Sequence, residues 1–131
     1  MKLKQLFENV KVFSTGGVSV SEVEKAEKEL SVSFPEEYKE LLVEYGAVSV
    51  GTHEIAALGV EGYLNVVELT KEERVLSPEN DLEEYIVIQN IGSEGMLIVL
   101  DSEGNVYEYV NGEFKQIYKD FFSYLKMEVC V

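Results

Sequence analysis

The segment Ser33-Phe34-Pro35-Glu36-Glu37-Tyr38-Lys39-Glu40-Leu41-Leu42-Val43-Glu44-Tyr45-Gly46 constrains this chain most, because it carries both ends of a helix and one apolar face. Pro35 stands where a first helical residue is tolerated, since its missing N–H has no intrahelical partner there. Ser33 and Glu36 are three apart, the spacing of a capping box, although Pro35 leaves the cap open between Ser33 and Phe34. Tyr38, Leu41, Leu42 and Tyr45 fall at i, i+3, i+4 and i+7, which is one helix face. Gly46 offers the left-handed residue that ends the helix. Glu36, Glu37, Lys39, Glu40 and Glu44 occupy the other face. The spacing predicts a helix over 35–45 with a tyrosine-rich side inward and an acidic side in water.

Around this helix the chain divides in two. Leu3, Leu6, Phe7 and Val10 repeat at helical spacing and predict a first helix over 3–10. Ser14-Thr15-Gly16-Gly17 breaks it. Ser19 and Glu22 form a capping box for a helix over 19–30, with Val23, Ala26 and Leu30 as its apolar stripe. The short turn Ser31-Val32-Ser33 then predicts that helices 19–30 and 35–45 pack as a hairpin. Beyond Gly46 a short strand is expected around 53–58 and a helix around 66–75, with Ser77-Pro78-Glu79-Asn80-Asp81 as a loop. From residue 85 the signal is β. Tyr85-Ile86-Val87-Ile88 has the composition of a strand. After a turn at Gly92-Ser93-Glu94-Gly95, Met96-Leu97-Ile98-Val99-Leu100 is apolar enough for a central strand covered on both faces. Val106–Val110 and residues 113–117 flank Asn111-Gly112, the clearest hairpin signal in the chain. A last helix carries Phe121, Phe122 and Leu125. The expected fold class is α+β: an antiparallel β-sheet meander with an N-terminal helical hairpin and a C-terminal helix packed on one side of it.

The chain has 131 residues, the size of a single domain, so one domain over 1–131 is expected. Its 8 Tyr and 6 Phe are enough for a dense core. The formal net charge of −14 argues against binding nucleic acid, where Lys and Arg must neutralise phosphates, and against an anionic membrane surface. It favours solubility and fast encounter with a basic partner. One cysteine, Cys130, allows no internal disulfide and no zinc site. The start of the chain has no apolar run of signal-peptide type, and no segment approaches the ~20 apolar residues of a membrane span. A cytoplasmic location is expected.

Several stretches, in this order, carry a family resemblance: Glu27-Lys28-Glu29-Leu30; Phe34-Pro35-Glu36-Glu37-Tyr38; Leu41-Leu42 followed by Tyr45-Gly46; Val87-Ile88-Gln89-Asn90-Ile91-Gly92-Ser93-Glu94-Gly95; the Asp101 loop with Gly104-Asn105-Val106-Tyr107-Glu108-Tyr109; and Asp120-Phe121-Phe122-Ser123-Tyr124-Leu125. Together they resemble the SUKH superfamily, named in part for a yeast cell-wall regulator, over most of residues 19–126. Phe34, Pro35, Tyr38, Leu42, Tyr45 and Gly46 are the motif positions. The chain differs from the common pattern in having Phe34-Pro35 for Leu-Pro, Tyr45-Gly46 for Asn-Gly, and apolar Met96-Leu97-Ile98-Val99 for a polar stretch. The resemblance implies a non-enzymatic protein without cofactor. Bacterial members look like immunity proteins that bind a cognate toxin, commonly a nuclease, in the cytosol. Others are scaffolding or regulatory protein-binding domains, which is the alternative reading here.

The residues themselves offer little catalytic chemistry. His53 is the only histidine, and a lone histidine near a strand is usually a satisfied or surface residue. Gly92-Ser93-Glu94-Gly95 lacks the Lys-Ser/Thr of a phosphate loop. Asp101-Ser102-Glu103-Gly104-Asn105 lacks the glycine position and distal glutamate of a calcium loop. No enzyme, metal or cofactor is expected. The acid is uneven: residues 61–131 carry 15 acids against 5 bases, residues 1–60 carry 10 against 6. Its densest run is Glu68, Glu72, Glu73, Glu79, Asp81, Glu83 and Glu84. The bland explanation is a solvated face. The sharper one is a surface that occupies the basic cleft of a nuclease and is steered to it. Affinity then needs a desolvated anchor, and Tyr63, Tyr85, Tyr107 and Tyr109 are the exposed tyrosines expected to provide it. The expected toxin-binding set is Tyr63, Glu68, Glu72, Glu73, Asp81, Glu83, Glu84, Tyr107 and Tyr109.

Overall fold

The structure is a computed structural model and describes residues 3–92 and 95–131. In chain order its elements are α1 (Leu3–Leu6), β1 (Val12–Ser14), α2 (Val20–Leu30), α3 (Glu36–Glu44), β2 (Val48–Val50), β3 (His53–Ile55), α4 (Val66–Leu76), β4 (Ile86–Asn90), β5 (Leu97–Leu100), β6 (Val106–Val110), β7 (Glu113–Tyr118) and α5 (Phe121–Tyr124). The last helix runs on into a π-helical turn, Leu125–Val129. The strands form two antiparallel sheets, β1-β2-β3 and the meander β4-β5-β6-β7. The fold is α+β, as the sequence indicates.

The helical hairpin forms as its capping signals require at one end and differently at the other. Ser19 caps α2 by accepting from the Glu22 N–H. Pro35, by contrast, is itself the cap of α3, and no side chain caps that end. The expected Ser33–Glu36 box is therefore absent, because the residue in the capping position is a proline with no acceptor to offer. The Phe34 N–H instead donates to Glu27 Oε2 at 2.7 Å, which ties the start of α3 to the body of α2. At the other end Gly46 has φ 76° and its N–H reaches back to Leu41 O at 2.9 Å. A Cβ on Gly46 would lie 2.2 Å from Gly16 O, so close approach also demands glycine. That neighbour belongs to a strap over 15–18 whose Gly16 and Val18 N–H groups donate to Tyr45 O and Leu42 O, carbonyls that a helix end leaves unpaired.

Three expectations change in the first half of the chain. The first helix stops at Leu6 rather than reaching residue 10, because residues 12–14 leave to pair with β2 as β1. The strand expected over 53–58 ends at Ile55 as β3, and Val48–Val50 forms a further three-residue strand, β2, that pairs with it. With β1 they make a second sheet beside the meander. Strands of three residues are too short to show the two-residue alternation by which a strand is read.

One cluster of buried side chains joins helices and sheets. Tyr38, 0% exposed, lies at its centre. Its ring meets Phe34 and Phe121 edge-on at 5.4 and 5.5 Å, and its hydroxyl donates to Ala56 O at 2.7 Å. Burial pushes its phenol pKa well up. All four residues of β5 are buried, as its apolar composition predicts. The open edge of β4 is sealed without a further strand: Thr70 Oγ1 accepts from the Val87 N–H at 3.0 Å, and the Ala56 N–H donates to Ile88 O at 2.8 Å. Rings from β4's approach, β6 and β7 share the face of Val99. There Tyr85 stacks on Phe114 at 4.5 Å, with Tyr107 and Tyr109 against the same phenylalanine.

Candidate functional site

Helix α4 builds the site. Asn65 caps it, accepting at Oδ1 from the Val67 and Glu68 N–H groups at 2.9 and 3.0 Å. Val66, Leu69 and Thr70 face the core. Glu72 is left exposed and Glu73 half-buried beside it. Glu68 turns back to accept from the Gly62 N–H at 3.1 Å, which holds the 3₁₀ turn Gly62–Leu64. That turn presents Tyr63, 67% exposed, and its hydroxyl donates to Glu54 Oε2 on β3 at 3.1 Å.

Between β3, the turn, α4 and β4 lies a cleft of about 290 Å³. Glu54, Glu72 and Glu73 supply its carboxylates, Tyr63 stands at it, and Ala56, Leu64, Leu69, Ile88 and Gln89 also line it. Burial, with the Glu72 charge second, raises the pKa of Glu73. The hydrogen bond to Glu54 raises that of Tyr63. Acid over an apolar floor suits a cationic side chain with an aliphatic stem, such as lysine or arginine.

The structure brings Tyr63, Glu72 and Glu73 together and separates the rest. Glu68 is spent on holding the turn. Tyr109 is only 5% exposed and donates to Asp81 Oδ2 at 3.0 Å, which corrects the expectation of an exposed anchor there. The apolar side of its ring is what the sheet face buries, so the residue locks the loop after α4 onto β6. Tyr107 and Tyr85 are half-buried. Tyr107 donates to Asp101 Oδ2 at 3.0 Å, and burial together with that bond pushes its pKa up to about 12. Glu83 and Glu84 are exposed and line none of this cleft.

Two residues that composition did not single out shape the site. Glu54, hidden in a three-residue strand, completes the acidic wall. Arg74 looks in sequence like relief for the surrounding acid, yet its guanidinium is directed at carbonyls. Nε donates to Leu82 O (3.0 Å), Nη1 to Leu30 O (2.9 Å), and Nη2 to Glu83 O (2.9 Å) and Tyr85 O (3.3 Å). It stitches the end of α2 to the segment before β4, and burial lowers its pKa. No sequence signal marks such a role.

His53 is not among the residues lining the cleft. Tyr124 donates to Gln89 Oε1, and Gln89 Nε2 lies 2.9 Å from His53 Nδ1. With its carbonyl taken by the phenol, Gln89 donates to the ring, which places the imidazole proton on Nε2. Cys130 is half-buried, and burial raises its thiol pKa. Among the described residues no three His, Cys, Asp or Glu side chains group as a metal site, and no helix is long and apolar enough to cross a membrane.

Fold and cleft define an acidic α+β domain of two antiparallel sheets, held by a helical hairpin, with a carboxylate-walled cleft beside its fourth helix. The chain belongs to the SUKH_5 family, described as SMI1-KNR4 cell-wall, whose model matches residues 2–130. No curated protein matches it. Family membership is consistent with the immunity-protein superfamily and suggests interaction with another protein.

Proposed function

We propose that this protein is an intracellular immunity protein that binds a cognate toxin, a basic nuclease domain, and blocks it by occupying its substrate cleft. It acts as a binder rather than an enzyme and uses no cofactor. The observation that carries this reading is the cleft at Tyr63, where Glu54, Glu72 and Glu73 stand over an apolar floor. A nuclease must display Lys and Arg toward substrate phosphates. One such side chain can lay its stem on Leu64 and Leu69 and bring its charge to the three carboxylates. Tyr63 then serves as the aromatic anchor beside them. The family and the net charge of −14 support the same reading. Charge of that size also steers a basic partner at long range.

The test is co-expression with the adjacent open reading frame. The chain is expected to rescue growth from a toxic neighbour, and Glu72→Lys with Glu73→Lys is expected to lose rescue and to slow association at low salt. Glu83→Lys with Glu84→Lys is expected to slow association only through net charge. A non-toxic neighbour, or a toxin that the wild-type chain fails to neutralise, sinks the proposal. Equal loss from both pairs removes the cleft from it.

A further inference from the structure

The helical hairpin carries a second surface that shares no residue with the cleft. Between α2 and α3 runs a groove of about 550 Å³, with Phe122 of α5 also lining it. Val23 and Phe122 are buried in it at 3% and 9% exposure. Val20 and Val43 are open at 63% and 41%. Along α3 the acids Glu36, Glu40 and Glu44 repeat every fourth residue, which sets them in one stripe beside the groove. Lys39 is drawn to Glu27 and Glu36 at 3.6 and 3.7 Å. Glu37 accepts from the Phe122 N–H at 2.9 Å. Glu40 and Glu44 have no ion pair among the described residues.

We propose that this groove docks an amphipathic helix of a partner protein, with aliphatic side chains against Val20 and Val43 and Lys or Arg against Glu40 and Glu44. Lys39 also lines the groove but is turned to Glu27 and Glu36, which leaves Glu40 and Glu44 beside the apolar strip as the complement of such a helix. α3 is nine residues and so about 14 Å long, enough for two to three turns of a docked helix. Charge decides against a second copy of this chain as the occupant. Two copies would bring like stripes together on molecules of net charge −14. The proposal does not depend on the partner being a toxin.

The test uses the full chain and a fluorescein-labelled 15-residue peptide with Leu at i, i+3, i+4 and i+7 and Lys elsewhere, read by anisotropy. A scrambled peptide of the same composition is the control, and ¹⁵N amide shifts map the site. The patterned peptide is expected to bind at least tenfold tighter than the scrambled one and to shift the amides of Val20, Val43 and the Phe122 region. Val20→Glu is expected to weaken it about tenfold although the new charge attracts the peptide. That substitution places acid in a first helical turn, where the helix tolerates it, so the thermal midpoint is expected to hold. Glu40→Lys with Glu44→Lys is expected to weaken binding and flatten its salt dependence. Glu83→Gln with Glu84→Gln, exposed and outside both the groove and the cleft, is expected to leave binding within twofold. Equal binding of both peptides, no binding, or shifts centred on Tyr63 overturn the proposal. So does sedimentation showing a dimer of the chain that Val20→Glu dissociates.

Discussion

Tyr38 and Tyr63 direct their phenol hydroxyls at the same three-residue stretch, Glu54-Ile55-Ala56, from different surroundings. Tyr38 is fully buried and donates to Ala56 O at 2.7 Å. Tyr63 is 67% exposed and donates to Glu54 Oε2 at 3.1 Å. The first bond has no water to replace it, so its loss orphans a buried carbonyl. The second exchanges with water freely, so it orients a ring without holding the fold. One tyrosine fixes α3 to the residue that follows β3, and the other sets an exposed ring beside the Glu54 carboxylate of that strand. The residue type is the same; the solvent at each site decides whether the bond holds the fold or only orients an exposed ring.

The widest gap between the two is expected on truncation. Tyr38→Ala empties the space between Phe34 and Phe121 and is expected to cost about 4 kcal/mol in urea unfolding, or to prevent folding. Tyr38→Phe keeps the ring and loses only the bond to Ala56 O, at a cost of about 1–2 kcal/mol. Tyr63→Phe is expected to leave the unfolding midpoint in place and to weaken partner binding. Equal stability of the two phenylalanine variants breaks the comparison.

The same division runs through three consecutive residues of α4. Glu72 and Glu73 turn to the cleft, while Arg74 turns to four backbone carbonyls. Arg74→Met is expected to cost about 2 kcal/mol, since the guanidinium is partly exposed and water takes some of its place. Arg74→Lys is expected to recover less than half, because an ammonium lacks the planar fork that reaches several carbonyls at once. Full recovery by lysine shows that charge, rather than geometry, is what Arg74 contributes.

How far the sequence revealed this depends on the range of the interactions. Local signals were legible: the Ser19 cap, Gly46, the Asn111-Gly112 turn with φ 49° and 83°, and the apolar run of β5 each act within a few residues. Contacts that cross the chain were not. Thr70 sealing the edge of β4 and Arg74 reaching Leu30 depend on which elements become neighbours. β1, β2 and β3 were hidden by brevity. Of the acidic run, only Glu72 and Glu73 come to the cleft with Tyr63. Their partner Glu54 comes from a strand that periodicity does not resolve, and Tyr109 reads as exposed in sequence because a tyrosine's polar tip does not reveal whether its ring is covered.

Alkaline titration tests the sheet tyrosine Tyr107 at smaller cost. The Tyr107 phenol is raised from 10.0 to about 12 by burial and by its bond to Asp101. Below pH 10 both folded and unfolded chains keep this proton, and the contribution is fully present. As pH rises from 10 through 12 the unfolded chain ionises first, and the contribution is lost. Tyr107→Phe is expected to make stability fall less steeply over that window and to remove one late tyrosinate signal near 295 nm. An unchanged slope shows that the folded surroundings of Tyr107 do not hold its proton.

The smallest effect is expected at Glu73, and it tests whether the cleft keeps a stability cost for the sake of charge. Burial and the Glu72 carboxylate raise its pKa above 4.5. A raised carboxyl pKa means that the folded chain holds this proton more tightly than the unfolded one. The resulting stabilisation is full below pH 4.5 and is lost as pH rises through the folded pKa. Once ionised, the carboxylate stands where burial and the Glu72 charge disfavour it. Glu73→Gln is therefore expected to raise the thermal midpoint at pH 7 by about 1 °C. The advantage is expected to shrink as pH falls and wild-type Glu73 itself takes up a proton. The same substitution is expected to weaken a basic partner's association. A variant that gains stability and loses no affinity places Glu73 outside recognition and leaves Glu54 and Glu72 to carry the cleft's charge.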